Sequence, residues 1–364
     1  FAISQARHEL FLVPTFDGAF DAAARRLKAG LSRPDVAAFN TSDLFEISNT
    51  LLGPISSYLA DKQKVIFIRD GVLNAIPLSA LSVSQHSYTP LVMSHKAALM
   101  PSLTYLIQER RQGVLPTSES LFALGDPEYG QRQAPEVHQD QTRQFFQDAA
   151  DDFALFAPLP ETRSEVERIQ KMFPAGHVRM IFGKEARESV VKSAPLADYR
   201  FVHFATHGVL GNQIPGVDEP SLVLAAEEAQ SPDDGYLTMS EVQQLKLNCD
   251  LAVLSACDTG SGEYFTGEGV MGLSRAFLLA GSRSVIVSLW PVASDATVAL
   301  MEQFYKNLRS GKTKAESLRL AQVKVFQQDI SKFGYRGIRL SGVQNLNAGG
   351  MHPFFWAPFV LIGE

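Results

Sequence analysis

The sequence predicts an α/β protein built on a mostly parallel sheet flanked by helices. Three observations predict it: short continuous apolar runs that end in turn residues, helical apolar spacing between many of them, and the repeated alternation of the two patterns. The first stretch reads as helix over 20–31 and 44–60, with Thr41, Ser42 and Asp43 as candidate N-caps. Val65, Ile66, Phe67 and Ile68 then form a run closed by Asp70-Gly71, the pattern of a strand buried on both faces and ended by a turn. Similar runs over 97–100, 121–124, 178–182, 200–205, 222–225, 251–254, 284–289 and 359–362 predict further strands. Helical spacing recurs over 163–173, 187–192, 240–246, 269–280, 295–308 and 315–328. Turn-forming and polar residues mark loops over 126–160, 211–220 and 331–353, long enough to expect a functional or mobile role. A boundary is expected near 113–120, dividing the chain into 1–118 and 119–364.

Composition narrows the function classes. The 364 residues, 45% hydrophobic and 20% charged, suit one large domain or two ordinary ones and exclude disorder, collagen and coiled coil. A net charge of −6 with interspersed signs predicts no general nucleic-acid surface. Two cysteines, Cys249 and Cys257, argue against a disulfide scaffold and for a reducing, cytoplasmic setting. No apolar run approaches the roughly 18–20 residues needed to span a bilayer, so no membrane association is expected. A start at Phe1, with neither Met nor a signal-peptide pattern, is expected of an excised or processed piece.

Two segments carry chemistry. In Arg200-Phe-Val-His-Phe-Ala-Thr-His-Gly208 an apolar strand delivers His207 to its carboxyl end, and in Asp250-Leu-Ala-Val-Leu-Ser-Ala-Cys257 a second strand delivers Cys257 to a similar position. Residues at strand carboxyl ends line the ligand crevice of such sheets. If the strands are neighbours, an imidazole faces a thiol and can accept its proton or hold the thiolate, which makes Cys257 a nucleophile and His207 its base. The backbone N–H groups of Gly208 and Cys257 could form an oxyanion hole, Gly208 permitting close approach of a substrate carbonyl.

Other conspicuous residues have plainer readings. Cys249 is assigned to the core, because cysteine is among the most buried residue types. His203 and His207 have the spacing of a helical metal pair, but Val202, Phe204 and Ala205 indicate a strand, so His203 is expected to pack or hydrogen-bond and no metal is expected. Gly267, Gly269 and Gly272 have dinucleotide-fingerprint spacing, yet Glu268 would oppose a pyrophosphate, so they are read as shaping a turn.

His203-Phe-Ala-Thr-His-Gly208, Leu254-Ser-Ala-Cys-Asp-Thr-Gly260, Gly267-Glu-Gly-Val-Met-Gly272 and the segment on to Gly281, Val287-Ser-Leu-Trp290 and His352-Pro-Phe-Phe-Trp-Ala-Pro-Phe359 together resemble a CHAT domain, a family grouped with caspases and separases. The similarity extends back through Asp70 to Leu81. The resemblance implies a caspase-like fold in which 1–118 is a degenerate protease-like half and 119–364 the active one, with His207 and Cys257 as the dyad and no cofactor. It also implies a protein substrate, an associated tetratricopeptide-repeat (TPR) region or partner controlling activity, and a place in bacterial antiviral defence or signalling. Many relatives read Val, any residue, then Asp after Leu-Trp, whereas here Ala293 and Ser294 separate Val292 from Asp295. Asp295 is therefore either a pocket acid for a basic P1 side chain or a first-turn helix residue, and a small or apolar P1 residue is the alternative. Ser294, Asp258 and Glu268 are the other pocket candidates.

The reading that follows is a cysteine endopeptidase. Its alternatives are a catalytically silent pseudoprotease scaffold and a sheet-based nucleotide switch.

Overall fold

The structure, a computed structural model, describes residues 2–3, 8–9, 18–33, 39–105, 118–130, 156–214, 216–228, 230–255, 257–258, 268–290, 294–328, 334–335, 338–339 and 350–363. The strands are β1 (Ala2–Ile3), β2 (His8–Glu9), β3 (Lys64–Ile68), β4 (Lys96–Met100), β5 (Leu121–Pro127), β6 (Val178–Gly183), β7 (Phe201–Ala205), β8 (His207–Val209), β9 (Ser221–Val223), β10 (Tyr236–Thr238), β11 (Leu251–Leu254), β12 (Cys257–Asp258), β13 (Ser284–Ser288), β14 (Gly334–Tyr335), β15 (Ile338–Arg339) and β16 (Phe359–Gly363). The helices are α1 (Gly18–Leu31), α2 (Thr41–Leu52), α3 (Ser56–Leu59), α4 (Pro160–Gln170), α5 (Glu188–Ser193), α6 (Met239–Val242), α7 (Glu268–Leu279), α8 (Ser294–Arg309), α9 (Lys314–Phe326) and α10 (Pro353–Trp356).

Eight strands form one sheet in the order β3-β4-β16-β13-β11-β7-β5-β6. Every adjacent pair is parallel except β13 against β16. The α/β class and the mostly parallel sheet are thus as the apolar runs predict. The sheet is continuous across residue 118, since β16 lies beside β4 with Ile362 opposite Leu99. All residues of β7, β11 and β13 are buried, as expected of strands covered on both faces. Around the sheet, α4 packs on β5 and α8, α8 on α9, and α7 against β13.

The approach to β16 shows why its aromatic run is spaced as it is. His352 caps α10, its Nδ1 accepting the Phe354 N–H at 3.1 Å. Trp356 Nε1 donates to Met351 O at 3.0 Å, and Trp290, beyond β13, donates to Phe354 O at 3.2 Å. Both indoles are fully buried with their N–H groups satisfied.

Several local expectations are corrected. The helix expected over 44–60 is broken into α2 and α3, because Pro54 offers no N–H and its ring obstructs a continuous helix. Its N-cap is Asn40, whose side chain accepts from the Ser42 N–H at 2.9 Å, not Thr41, Ser42 or Asp43. The helix expected over 240–246 is the short α6, entered through a capping box between Thr238 and Glu241. The run at 222–225 is not in the large sheet: β9 belongs to a separate four-stranded sheet, β10-β9-β8-β12. The loop centres at 131–155 and 340–349, and residues 113–117 at the expected boundary, lie outside the described residues.

At the amino ends of β7 and β11, Arg200 and Asp250 are tied together. Asp250 N–H donates to Arg200 O at 2.8 Å, and the Asp250 carboxylate meets Arg200 Nη2 at 3.2 Å and Lys314 Nζ at 2.8 Å. Burial alone would raise the Asp250 carboxyl, but Lys314 and Arg200 outweigh it and hold the group below its ordinary value of 3.8. Because the folded value lies below the unfolded one, the clasp contributes fully above the unfolded value and is lost as pH falls through the folded one. Asp250→Asn is expected to lower stability at neutral pH and to flatten the acid limb of the stability curve, as read by urea unfolding at a series of acid pH values. Gly281 is the other sensitive point: its φ is +115°, and a Cβ there would lie 2.1 Å from Leu247 O. Gly281→Ala is expected to destabilise by at least about 2 kcal/mol, measured the same way.

Candidate functional site

β7 and β11 are neighbours, with Phe201 opposite Leu251 and Phe204 opposite Leu254. Both chains then leave the large sheet and pair again as β8 and β12, where Cys257 is opposite His207 and Asp258 opposite Gly208. The same offset of 50 residues runs from Arg200 and Asp250 through the large sheet to His207 and Cys257. One feature differs from expectation: His207 is not the carboxyl end of the first strand but begins a second one, after a bend at Thr206.

The surroundings of His207 come from segments distant in sequence. Its side chain is 5% exposed, and Nε2 lies 2.8 Å from Ala157 O. A carbonyl oxygen only accepts, so Nε2 carries a hydrogen, and in the neutral ring Nδ1 is the basic nitrogen. The rings of Tyr129 and Phe156 pack against the imidazole, centroids 5.1 and 5.4 Å away. A polar chain runs beneath it. The His207 N–H donates to Tyr129 Oη at 3.4 Å, Tyr129 Oη lies 2.8 Å from Thr206 Oγ1, and Thr206 donates to Val223 O. With the Thr206 proton given to a carbonyl, the Tyr129 hydroxyl must donate to Thr206, so every polarity in the chain is determined.

These contacts sit in a small apolar cluster of their own, made by Phe156, Val209, Ile214, Val217, Val223 and Tyr236 with Tyr129 against it. The segment 211–220 contributes Ile214 and Val217 to it, and β10 contributes Tyr236. The segment 261–267 lies outside the described residues. Of the pocket candidates, Asp258 is placed by register beside Gly208, Glu268 is the first residue of α7, Ser294 the first of α8, and Asp295 an exposed first-turn residue of α8. The side chains of Cys257, Asp258, Glu268 and Ser294 lie outside the described atoms.

His203 is fully buried, with Nε2 2.9 Å from Glu165 Oε1 and Nδ1 3.2 Å from the Tyr305 hydroxyl. Both ring nitrogens are thereby engaged in the core. Among the described residues, Glu188, Asp233 and Glu241 have oxygens close enough to share a cation. Lys192 already supplies one, ion-paired with Glu188 and 2.7 Å from both Asp233 Oδ1 and Glu241 Oε1. Burial pushes the Glu188 carboxyl up to about 7 against the pull of Lys192. No helix among the described residues is long and apolar enough to cross a membrane. Sequence reasoning missed Ala157, Tyr129, Phe156 and Thr206 as neighbours of His207. The available signal was the pair of aromatics at the two edges of the long loop.

The CHAT domain family model matches residues 42–364, and the chain belongs to that family. Among curated proteins, it is 28% identical over 238 residues to mouse Tetratricopeptide repeat protein 28 and 28% identical over 240 residues to the human protein of that name. Each match covers 58% of this chain and 9% of the relative, so the chain spans about a tenth of the length of these relatives. Among solved structures it is similar to separase in a Saccharomyces cerevisiae separase–securin complex, with a TM-score of 0.43, 13% identity and coverage of 90% of this chain and 17% of that one. It is also similar to the Arg-specific cysteine proteinase gingipain R, with a TM-score of 0.43, 10% identity and coverage of 95% of this chain and 73% of that one.

Burial pushes the Cys249 thiol up to about 11. A thiol reagent applied to the native protein near neutral pH is expected to leave Cys249 unmodified, and mass spectrometry should find it labelled only after denaturation.

Proposed function

We propose that this CHAT domain is a cysteine endopeptidase acting through Cys257 and His207. The observation that carries the reading is the register of β8 with β12, which sets the two residues opposite one another. In the proposed reaction the Cys257 thiol gives its proton to His207 Nδ1 and the sulfur attacks the scissile carbonyl carbon. The negative charge that develops on the carbonyl oxygen is received by the N–H groups of Gly208 and Cys257. The tetrahedral intermediate collapses as the imidazolium returns the proton to the leaving amine, leaving an acyl-enzyme. Water then attacks the thioester, with His207 again taking the proton, and the acid product and free thiol are released.

The contact of Nε2 with Ala157 O supports this assignment. It orients the ring, presents Nδ1 as the base, and lends a partial negative charge to the imidazolium as it forms. The substrate is a protein segment bound in extended form, with Asp295, Ser294, Asp258 and Glu268 as the candidates for recognising its side chains. The repeat-protein names of the curated relatives support control by a TPR region or a partner protein. A role in regulated bacterial defence or signalling, in the cytoplasm, completes the proposal.

Limiting alkylation near pH 7 is expected to modify Cys257 rapidly and to slow at least about tenfold in His207→Ala, since the thiolate is the reactive species. Cleavage of a peptide library should be abolished by Cys257→Ala with the thermal midpoint preserved. Cleavage retained by Cys257→Ala would overturn the mechanism. A slow-reacting Cys257 together with no cleaved peptide would favour the pseudoprotease scaffold.

A further inference from the structure

The carboxyl end of β5 is irregular, and the irregularity aims one side chain. Gly125 lies opposite Phe182 and Pro127 opposite Gly183, so Asp126 is an extra residue on β5, a bulge of the kind that redirects a chain. Its φ is +45°, a left-handed conformation that costs a non-glycine residue free energy and persists where neighbours impose it. Here they do: the Asp126 N–H donates to Thr162 Oγ1 at 2.7 Å, and its carboxylate takes Arg163 Nε at 2.9 Å. Thr162 in turn donates to Leu159 O at 2.7 Å. Beyond the bulge, the Glu128 N–H donates to Gly183 O at 3.1 Å, and Glu128 O accepts from the Ala226 N–H at 3.4 Å. The chain is thereby tied to two neighbouring segments immediately before Tyr129.

Both the ring and the hydroxyl of Tyr129 meet the bend that carries His207. The ring centroid lies 5.1 Å from that of the imidazole, at an interplanar angle of 44°. The hydroxyl accepts the His207 N–H and donates to Thr206 Oγ1, which donates to Val223 O. His207 and Val223 are opposite one another in the register of β8 with β9. The two hydroxyls therefore link the amide of one residue to the carbonyl of the residue facing it. Thr206 and Val223 are fully buried, so a hydroxyl removed from this link has no ready replacement from solvent.

We propose that Tyr129 is a positioning residue for His207: its hydroxyl, joined to Thr206, holds the backbone from which the imidazole projects, and the bulge at Asp126 aims it. Held in this way, the ring keeps Nε2 against Ala157 O. Its consequence for catalysis rests on the peptidase reading above, whereas the placement of the ring does not. A reacting group misplaced by about 1 Å can lose about a hundredfold in rate, which is the scale on which such a hold acts.

NMR of the protein isotope-labelled at histidine tests the placement without any substrate. The wild-type His207 Hε2, bonded to Ala157 O, is expected as a slowly exchanging resonance, identified by its loss in His207→Ala. Tyr129→Phe keeps the ring and removes only the hydroxyl, and in it the exchange of Hε2 with water is expected to quicken at least about tenfold. The other histidine signals, unchanged, would verify that the variant folds. Thr206→Val is expected to have the same effect and Thr206→Ser, which keeps a hydroxyl, to retain wild-type exchange. The double variant Tyr129→Phe/Thr206→Val is expected to match the larger single effect, because the two hydroxyls act as one link. In a peptide-cleavage assay, Tyr129→Phe is expected to lower kcat at least about tenfold with KM unchanged. Wild-type exchange of Hε2 in a folded Tyr129→Phe, or no protected Hε2 in the wild type, would sink the proposal. Failure of the wild type to cleave would count against the peptidase reading alone, with the placement of the ring still decided by the NMR result.

Discussion

The parallel pairing of β7 with β11 is the constraint on which the candidate site depends. Because side chains alternate across a strand, a slip of one residue would turn every buried side chain of β7 to the wrong face. It would also move His207 off Cys257. The register is secured at three levels. At the bottom, Arg200 and Asp250 exchange a backbone hydrogen bond and an ion pair. In the middle, His203 stands opposite Val253 and is held by Glu165 and Tyr305. At the top, Cys257 and His207 pair again in the second sheet. The middle level is the most exacting, since a displaced His203 would leave three buried polar groups without partners.

The second sheet has a different task. Its core is small and separate from the main one, and the polar chain from His207 through Tyr129 and Thr206 to Val223 is buried within reach of it. Aromatic rings against the imidazole leave it few rotamers, and Ala157 O selects its tautomer. Positioning of the imidazole is thus delegated to loops and short strands, while the large sheet supplies a rigid platform. This division matches the general tendency of functional residues to sit on connecting segments carried by a stiff scaffold.

Much of this was legible in the residues. Strands such as β3, β11 and β13 declared themselves because burial on both faces leaves an uninterrupted apolar run of strand length. The pairing of His207 with Cys257 was legible on the condition that their two strands are neighbours, and the adjacency itself comes from the structure. What could not be read were interactions with no periodic signature. Asn40 displaced three equally good capping residues, Pro54 interrupted an otherwise helical pattern, and Glu165 met His203 across 38 residues of chain. Ala157 contributes through its carbonyl, and a backbone oxygen has no letter in the sequence.

The single antiparallel joint in the large sheet also bears on how the molecule is made. β4 is flanked in the finished sheet by β3 and β16, and Leu99 and its partner Ile362 are about 260 residues apart. On a ribosome adding about 5–20 residues per second, the inner edge of β4 is without its neighbour for roughly 13–50 s. During that interval β5, β6, β7, β11 and β13 can already assemble. Until β16 is made, the edges of β4 and β13 that flank it in the finished sheet lack their common neighbour, and translation sets the earliest time at which that gap can close.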